Sequence, residues 1–136
     1  METKIILYPA VSMIFLTLFL YAKNYLDNVK AKKAGIIKFS YFKTYTGEVP
    51  DYMYVSRQTL KNQFELPIFF YFLISVILVF DNVSQLDVIF SWLFVVSRYV
   101  HCYIRLTSNN VLYRSKFFII GMLLLVIWWI IFLYQL

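Results

Sequence analysis

Seven polar side chains stand out from an otherwise apolar chain because together they could bind a small charged molecule. They are Lys61, Asn62, Glu65, Arg98, His101, Arg114 and Ser115. The basic groups bind anions, the carboxylate binds a cation, and the hydroxyl follows a guanidinium directly in sequence. Such a set suits a small zwitterionic anion that carries two carboxylates and one amine.

Two of these side chains share one face of a predicted helix with Arg105. His101 and Arg105 follow Arg98 by three and seven residues, a spacing that aligns them along one side of a helix. A central arginine costs roughly 3 kcal/mol on membrane-insertion scales, so we expect Arg98 to face the bundle interior or to extend towards the membrane surface. A hydrogen bond to a neighbouring helix is the structural alternative for His101. Cys102 follows, but no further ligand completes a tetrahedral set, so we predict no metal site.

A second polar face begins the second apolar stretch. Gln58, Asn62 and Glu65 lie at helical spacing on one side. Glu65 falls just inside the apolar stretch, where an acid needs a partner. The candidate partners are Lys61 one helical turn away, Arg98, and the ammonium group of a ligand.

The pair Arg114 and Ser115 directly precedes the fourth apolar stretch. Basic residues at such a position often mark the cytoplasmic end of a membrane helix. The alternative is an anion site, since the N-terminal amides of a helix favour negative charge. The residues by themselves leave both interpretations open.

Composition indicates which elements must position these side chains. Of 136 residues, 62% are apolar and 15% are charged, against about 45–50% and 25% in soluble domains. This composition excludes a disordered chain, and a single cysteine excludes a disulfide scaffold. Four apolar stretches each approach the roughly 20 residues that cross a bilayer as a helix. They cover residues 5–22, 64–80, 88–104 and 117–134. We therefore predict an all-α integral membrane protein, a four-helix bundle that forms a single domain over residues 1–136.

The basic residues predict the orientation of this bundle. All of the 13 except Lys4 and Arg98 lie in the first or third connection between spans, whereas the second connection has two aspartates and no basic residue. By the positive-inside rule the first and third connections face the cytoplasm and both termini lie on the other side. The first connection is long for a bundle, so either the first helix continues to an end at Gly35, or this is a functional loop, or both hold.

The motifs at these positions resemble the MAPEG superfamily, the membrane-associated proteins of eicosanoid and glutathione metabolism. The resemblance rests on Asn62-Gln-Phe-Glu65-Leu-Pro67, on Arg98-Tyr-Val-His101, and on Arg114-Ser115 sixteen residues after Arg98. It covers nearly the whole chain and is greatest for short bacterial members, which implies a bacterial inner membrane. It also implies a homotrimer of four-helix subunits with glutathione, a zwitterion of the kind described above, at subunit interfaces near the cytoplasmic face.

The resemblance implies roles for individual residues. Arg114 matches a thiolate-stabilising arginine and Ser115 a serine that donates to sulfur, so these two are the predicted catalytic residues. Asn62 and Glu65 match residues that bind the backbone and amine of glutathione, and His101 matches a ligand contact. The predicted ligand-binding set is completed by four basic residues: Lys30, Lys61, Arg98 and Arg105.

Two functional hypotheses follow from this pattern. The first is a membrane-bound glutathione-dependent transferase or peroxidase that acts on lipophilic electrophiles or hydroperoxides. The alternative is a non-enzymatic membrane trimer that binds an anionic lipid or metabolite in the same basic cleft. Gln58 where the family has an arginine, and Arg105 where it has a tyrosine, favour the alternative, and Phe118 also replaces a tyrosine. Juxtamembrane lysines are normally topology signals, so we expect no nucleic-acid partner.

Overall fold

The computed structural model describes residues 2–136, and this part of the chain is helical without strands. The α-helices are α1 (Leu7–Lys33), α2 (Tyr41–Thr44), α3 (Asp51–Lys61), α4 (Pro67–Phe80), α5 (Gln85–Leu106) and α6 (Val111–Gln135). Short 3₁₀ helices cover Thr3–Ile6 and Asn62–Phe64. The all-helical prediction is thus confirmed.

Three helical segments within residues 2–136 are long and apolar enough to cross a membrane. They are Thr3–Lys33, Asp51–Phe80 and Val111–Gln135, and they contain the first, second and fourth predicted spans. The third predicted span lies in α5, a helix of 22 residues that is long enough to cross but carries Asp87, Arg98 and Arg105. A fourth span in α5 therefore stays a prediction.

The first helix ends where the sequence predicted, just before Gly35. Gly35 has a positive φ of 70°, a conformation that glycine adopts without the steric cost of a side chain. The Ile36 amide then donates to the Ala31 carbonyl at 3.1 Å and closes the helix end. Beyond it the long connection folds into α2 and α3, and a small buried cluster of Ala31, Ile37 and Met53 joins α3 to α1. The connection is thus both a helix extension and an ordered, largely helical segment.

A break before α4 gives the polar motif its shape. Pro67 lacks a backbone N–H and its ring clashes with the preceding turn, so a continuous helix cannot pass through this point. The backbone leaves helical geometry at Glu65, where φ is −100° and ψ is −94°. The predicted span over residues 64–80 therefore begins as a 3₁₀ turn and becomes α-helical at Pro67. Asn62 begins the 3₁₀ turn and Glu65 lies at the break itself.

The helices α5 and α6 pack closely along most of their length. At one end the Trp128 indole donates to Asp87 Oδ1 at 2.7 Å, while Asp87 also caps α5 together with Ser84. Near the middle, Gly121 allows close approach, because a Cβ atom there would lie 2.7 Å from Ser97 Oγ. This packing holds the polar face of α5 against the first turns of α6.

Candidate functional site

A polar cavity of about 440 Å³ lies at the end of the bundle where the α3–α4 joint, the end of α5 and the start of α6 meet. Its size falls in the usual range for small-molecule sites, roughly 300–1,000 Å³. The lining residues are Asn62, Glu65, His101, Arg105, Arg114, Ser115, Phe118 and Ile119. The structure therefore brings together six of the nine predicted site residues from three separate parts of the chain.

Asn62 connects the acid and one of the cations of this cavity. Its side-chain amide satisfies both neighbours in one orientation, in which the nitrogen donates to Glu65 Oε2 at 3.1 Å and the oxygen accepts from Arg105 Nη1 at 3.0 Å. Among residues 2–136 the ion pair within 4 Å is Lys23–Asp27, so Glu65 is paired with neither Lys61 nor Arg98. The partner of Glu65 within the chain is thus a neutral amide, and its negative charge is not neutralised by a direct ion pair.

Arg98 faces the bundle interior, which decides between the two orientations expected from the sequence. Its side chain is 0% exposed, and Nη2 donates to the Asn62 carbonyl at 3.4 Å. Its guanidinium carbon also lies 5.6 Å from the centre of the Phe118 ring, a residue that lines the cavity. Arg98 therefore supports the cavity wall from behind and holds the α3–α4 joint against α5.

His101 links α5 to the first turn of α6. Its Nδ1 atom lies 2.8 Å from the carbonyl oxygen of Arg114, and since a carbonyl only accepts, Nδ1 carries the proton. Within the described chain the buried Nε2 atom has no hydrogen-bond partner. The interhelical bond expected from the sequence is thus present, and the same residue also lines the cavity.

Arg114 is held in place by the loop that precedes its helix. Its Nη1 atom donates to Asn109 Oδ1 at 2.6 Å, and Asn109 itself has a left-handed backbone with φ of 49°. Asn110 caps α6 by accepting from the amides of Leu112 and Tyr113. A single bond to Asn109 orients the guanidinium, whose four other N–H groups can serve a ligand. Ser115, next in sequence, is exposed on the same cavity.

Besides Arg98, two predicted ligand-binding residues lie outside the cavity lining. Lys30 is on α1, where its ammonium lies 4.5 Å from the centre of the Tyr52 ring. Lys61 is exposed at the end of α3, directly before the lining residue Asn62. The structure thus places Lys61 next to the cavity and Lys30 against α3, and their predicted roles stay predictions.

Sequence reasoning missed the part that Asn109 plays in the site, and it missed the buried position of Gln63 outside the cavity lining. The run Ser108, Asn109, Asn110 is a turn signal that announces both the left-handed residue and the helix cap. Gln63 is buried and its Nε2 atom lies 3.2 Å from Cys102 Sγ, a contact for which the sequence gives no signal. Within residues 2–136 no group of three His, Cys, Asp or Glu side chains is placed to hold a metal ion.

These observations define an all-helical protein with membrane-length apolar helices and a cationic cavity at one end of its bundle. The chain belongs to the MAPEG family, because the model of that family matches residues 6–134, nearly the whole chain. Members of this family are membrane proteins, generally oligomeric, with glutathione-related transferase or peroxidase functions. Neither the curated proteins nor the solved structures compared with the chain give a significant match. The match of the family model over residues 6–134 confirms the predicted family.

Proposed function

We propose that the protein is a membrane-bound glutathione-dependent transferase or peroxidase that acts on lipophilic electrophiles or hydroperoxides. The observation that carries this proposal is the cavity that gathers Glu65, Arg105, Arg114 and Ser115 from three separate parts of the chain. Family membership supports the same general function.

The charges of the cavity fit glutathione. Glutathione carries two carboxylates and one ammonium, and the lining offers two guanidinium groups, Arg105 and Arg114, and one carboxylate, Glu65. Charge-assisted hydrogen bonds between such groups are roughly twice as strong as neutral ones. The lining therefore offers opposite charges for the ammonium and for one carboxylate of the tripeptide, with the second guanidinium, Arg114, left for its sulfur.

Bound glutathione would supply a thiol, which is a nucleophile in its thiolate form. A free thiol has a pKa near 8.5, so a neighbouring cation is needed to favour the thiolate at neutral pH. Arginine is a permanent cation in proteins, and each unit by which Arg114 lowers the pKa of the ligand thiol needs about 1.4 kcal/mol of stabilisation. Ser115 provides a hydroxyl donor beside it. We propose these two as the catalytic residues.

An apolar groove of about 450 Å³ runs between α4 and α6 and supports access from the bilayer. It begins at Leu66, directly after the cavity residue Glu65, and its lining includes Met122, one helical turn beyond Phe118. Both helices thus carry apolar surface that leads from the lipid-facing side towards the polar cavity. This arrangement suits a lipophilic second substrate.

The assembly and orientation form part of the same proposal. We propose a homotrimer in which α5 is the fourth span, with both termini on the non-cytoplasmic side of a bacterial inner membrane. Burial of Arg98 and His101 within the chain lets α5 cross the membrane without exposing these groups to lipid. Native mass spectrometry of the purified protein in detergent tests the subunit number, and cysteine labelling from each side of the membrane tests the orientation.

The thiolate signal of bound glutathione tests the function. We expect ultraviolet absorbance of a thiolate when glutathione is added to the purified protein, and we expect Arg114→Ala to abolish it. Lys116→Ala is the matched control, because it removes a cation two residues away that contacts the Tyr113 ring rather than the cavity. Absence of a thiolate signal in the unmodified protein, or equal loss in both variants, contradicts the assignment.

A second function is favoured by the excess of positive charge. Arg105 and Arg114 outnumber Glu65 in the cavity, and Arg98 lies directly behind it. Such a surplus also suits a phosphate group, so a non-enzymatic trimer that binds an anionic lipid or metabolite is the alternative. Mass spectrometry of co-purified lipids, together with no heat on glutathione titration, would favour this alternative.

A further inference from the structure

Residues 28–47 carry five lysines and no acidic residue, and we call them the basic segment. The segment contains the end of α1, the whole of α2 and the turns on either side of α2. All five lysines are exposed, and they are Lys30, Lys32, Lys33, Lys38 and Lys43. Among residues 2–136 the ion pair within 4 Å is Lys23–Asp27. No carboxylate of the described chain therefore neutralises these five ammonium groups directly.

Exposed apolar side chains lie among these lysines. Phe39 is 73% exposed and Ile36 is 55% exposed. The Lys32 ammonium lies 4.6 Å from the centre of the Phe39 ring, so cation and exposed aromatic ring are in contact. A segment that combines lysines with exposed phenylalanine is typical of protein surfaces that lie at a membrane interface.

The basic segment is fixed to the rest of the protein. Between the exposed Ile36 and Lys38, the side chain of Ile37 is buried and packs in a cluster with Ala31 of α1 and Met53 of α3. This contact ties the segment to both helices. The lysines and Phe39 therefore belong to a folded surface, whose partner need not order a loose loop in order to bind it.

The position of α1 places the basic segment at the membrane surface. Exposed apolar side chains extend along α1 from Leu7 to Leu26, a length of about 30 Å that equals the hydrocarbon thickness of a bilayer. Lys33 lies seven residues after Leu26, which is about 10 Å further along the helix. Headgroups extend about 5–8 Å beyond the hydrocarbon, and the Debye length adds about 8 Å at physiological ionic strength. The lysines are therefore within electrostatic reach of lipid headgroups.

We propose that the basic segment is a binding surface for anionic lipids, in which the lysines bind lipid phosphate groups and Phe39 and Ile36 lie among the headgroups. An anionic membrane surface offers both the negative charge and the apolar contact that this set of side chains needs. A signal for topology needs positive charge but no exposed phenylalanine. None of these residues lines the polar cavity, so the proposal does not depend on glutathione binding.

Hydrogen exchange of the full-length protein in nanodiscs tests the proposal. One set of nanodiscs contains phosphatidylcholine alone, and the other also contains the anionic lipid phosphatidylglycerol. Each lysine near an anionic surface strengthens binding about fivefold, so we expect the amides of residues 34–46 to exchange severalfold more slowly when phosphatidylglycerol is present. Salt at 1 M shortens the Debye length to about 3 Å and should abolish this difference.

Matched variants show whether the lysines cause the difference. A variant that combines Lys32→Gln, Lys33→Gln, Lys38→Gln and Lys43→Gln should exchange equally in both lipids, whereas the four corresponding Lys→Arg changes should keep the difference. Circular dichroism shows whether each variant is folded. Residues 81–84, which include Asp81 and no basic residue, are an internal control and should exchange equally in both lipids.

Two results would overturn the proposal for the unmodified protein. The first is equal exchange of residues 34–46 with and without phosphatidylglycerol. The second is slower exchange on addition of polyglutamate but not of phosphatidylglycerol, which would assign the surface to an acidic protein. An undiminished lipid effect in the glutamine variant would overturn the role of the lysines. Because a nanodisc presents lipid to both faces of a folded protein, none of these results depends on how the chain inserts in a cell.

Discussion

Gly121→Ala is expected to disturb the site from a distance, through the contact between α5 and α6. A Cβ atom at Gly121 would lie 2.7 Å from Ser97 Oγ, 3.7 Å from Ser97 Cβ and 3.9 Å from Arg98 Cδ. The first distance is far below a normal contact, so either the helices must move apart or the Ser97 hydroxyl must turn away. Both responses act directly beside Arg98, which supports the cavity wall.

The size of the effect follows from the two ways of relieving the clash. Adding a methyl group to a closely packed interface costs about 1–3 kcal/mol. Turning the Ser97 hydroxyl instead gives up its 2.6 Å hydrogen bond to the Phe94 carbonyl, at about 1 kcal/mol. Replacing Ser97 by alanine removes the clashing oxygen, and the nearest atom is then Cβ at an ordinary 3.7 Å.

We therefore expect Ser97→Ala to rescue Gly121→Ala. The coupling energy between the two substitutions should be about 1–3 kcal/mol, and the intrinsic helix preference of alanine cancels from it. Denaturant unfolding of purified protein in detergent, followed by circular dichroism, measures the four free energies of unfolding. Glutathione titration should show the same pattern, with weak binding by the Gly121→Ala variant and restored binding by the double variant. Additive substitutions, with a coupling energy near zero, would refute the packing argument.

Substitutions at three further positions test other parts of the structure. Asp87→Ala should lower the free energy of unfolding by about 2–4 kcal/mol, because it removes the cap of α5 and leaves the buried Trp128 N–H without its acceptor. Asp87→Asn should cost less, and equal losses would contradict the role of the indole bond. Gly35→Ala should cost about 1 kcal/mol in the same unfolding assay because of the positive φ, and no loss would contradict a left-handed helix end. His101→Ala should weaken glutathione binding in a titration by about tenfold, since it removes the bond that ties α5 to the Arg114 carbonyl, and unchanged affinity would show that this bond does not position the site.

Much of the fold could be predicted from hydropathy. Apolar runs of membrane length predict helices. Gly35 predicts the end of the first helix, because a positive φ is favoured by glycine itself and does not depend on distant contacts. The helix α3 was less visible, because its apolar face is short and its burial depends on contact with α1, which hydropathy does not report. The break before α4 was encoded by Pro67, but where the backbone leaves the helix depends on packing as well.

The site was predictable as a set of residues and less so as an arrangement. Arg98 illustrates the limit, since its type and spacing mark it as important but cannot show that it lies behind the cavity wall. Glu65 shows the same limit, because the partners expected for its carboxylate were cations, whereas its partner in the structure is the Asn62 amide. Such choices depend on how three helices meet, and pairwise spacing along one helix does not contain that information.

An experimental structure of the protein with glutathione tests the proposed site as a whole. We expect a tripeptide in the cavity between the α3–α4 joint, α5 and α6, with its ammonium at Glu65 and its sulfur next to Arg114. Glutathione bound outside this cavity would contradict the proposed site. A lipid phosphate in the cavity, at glutathione concentrations that saturate the protein, would contradict it as well.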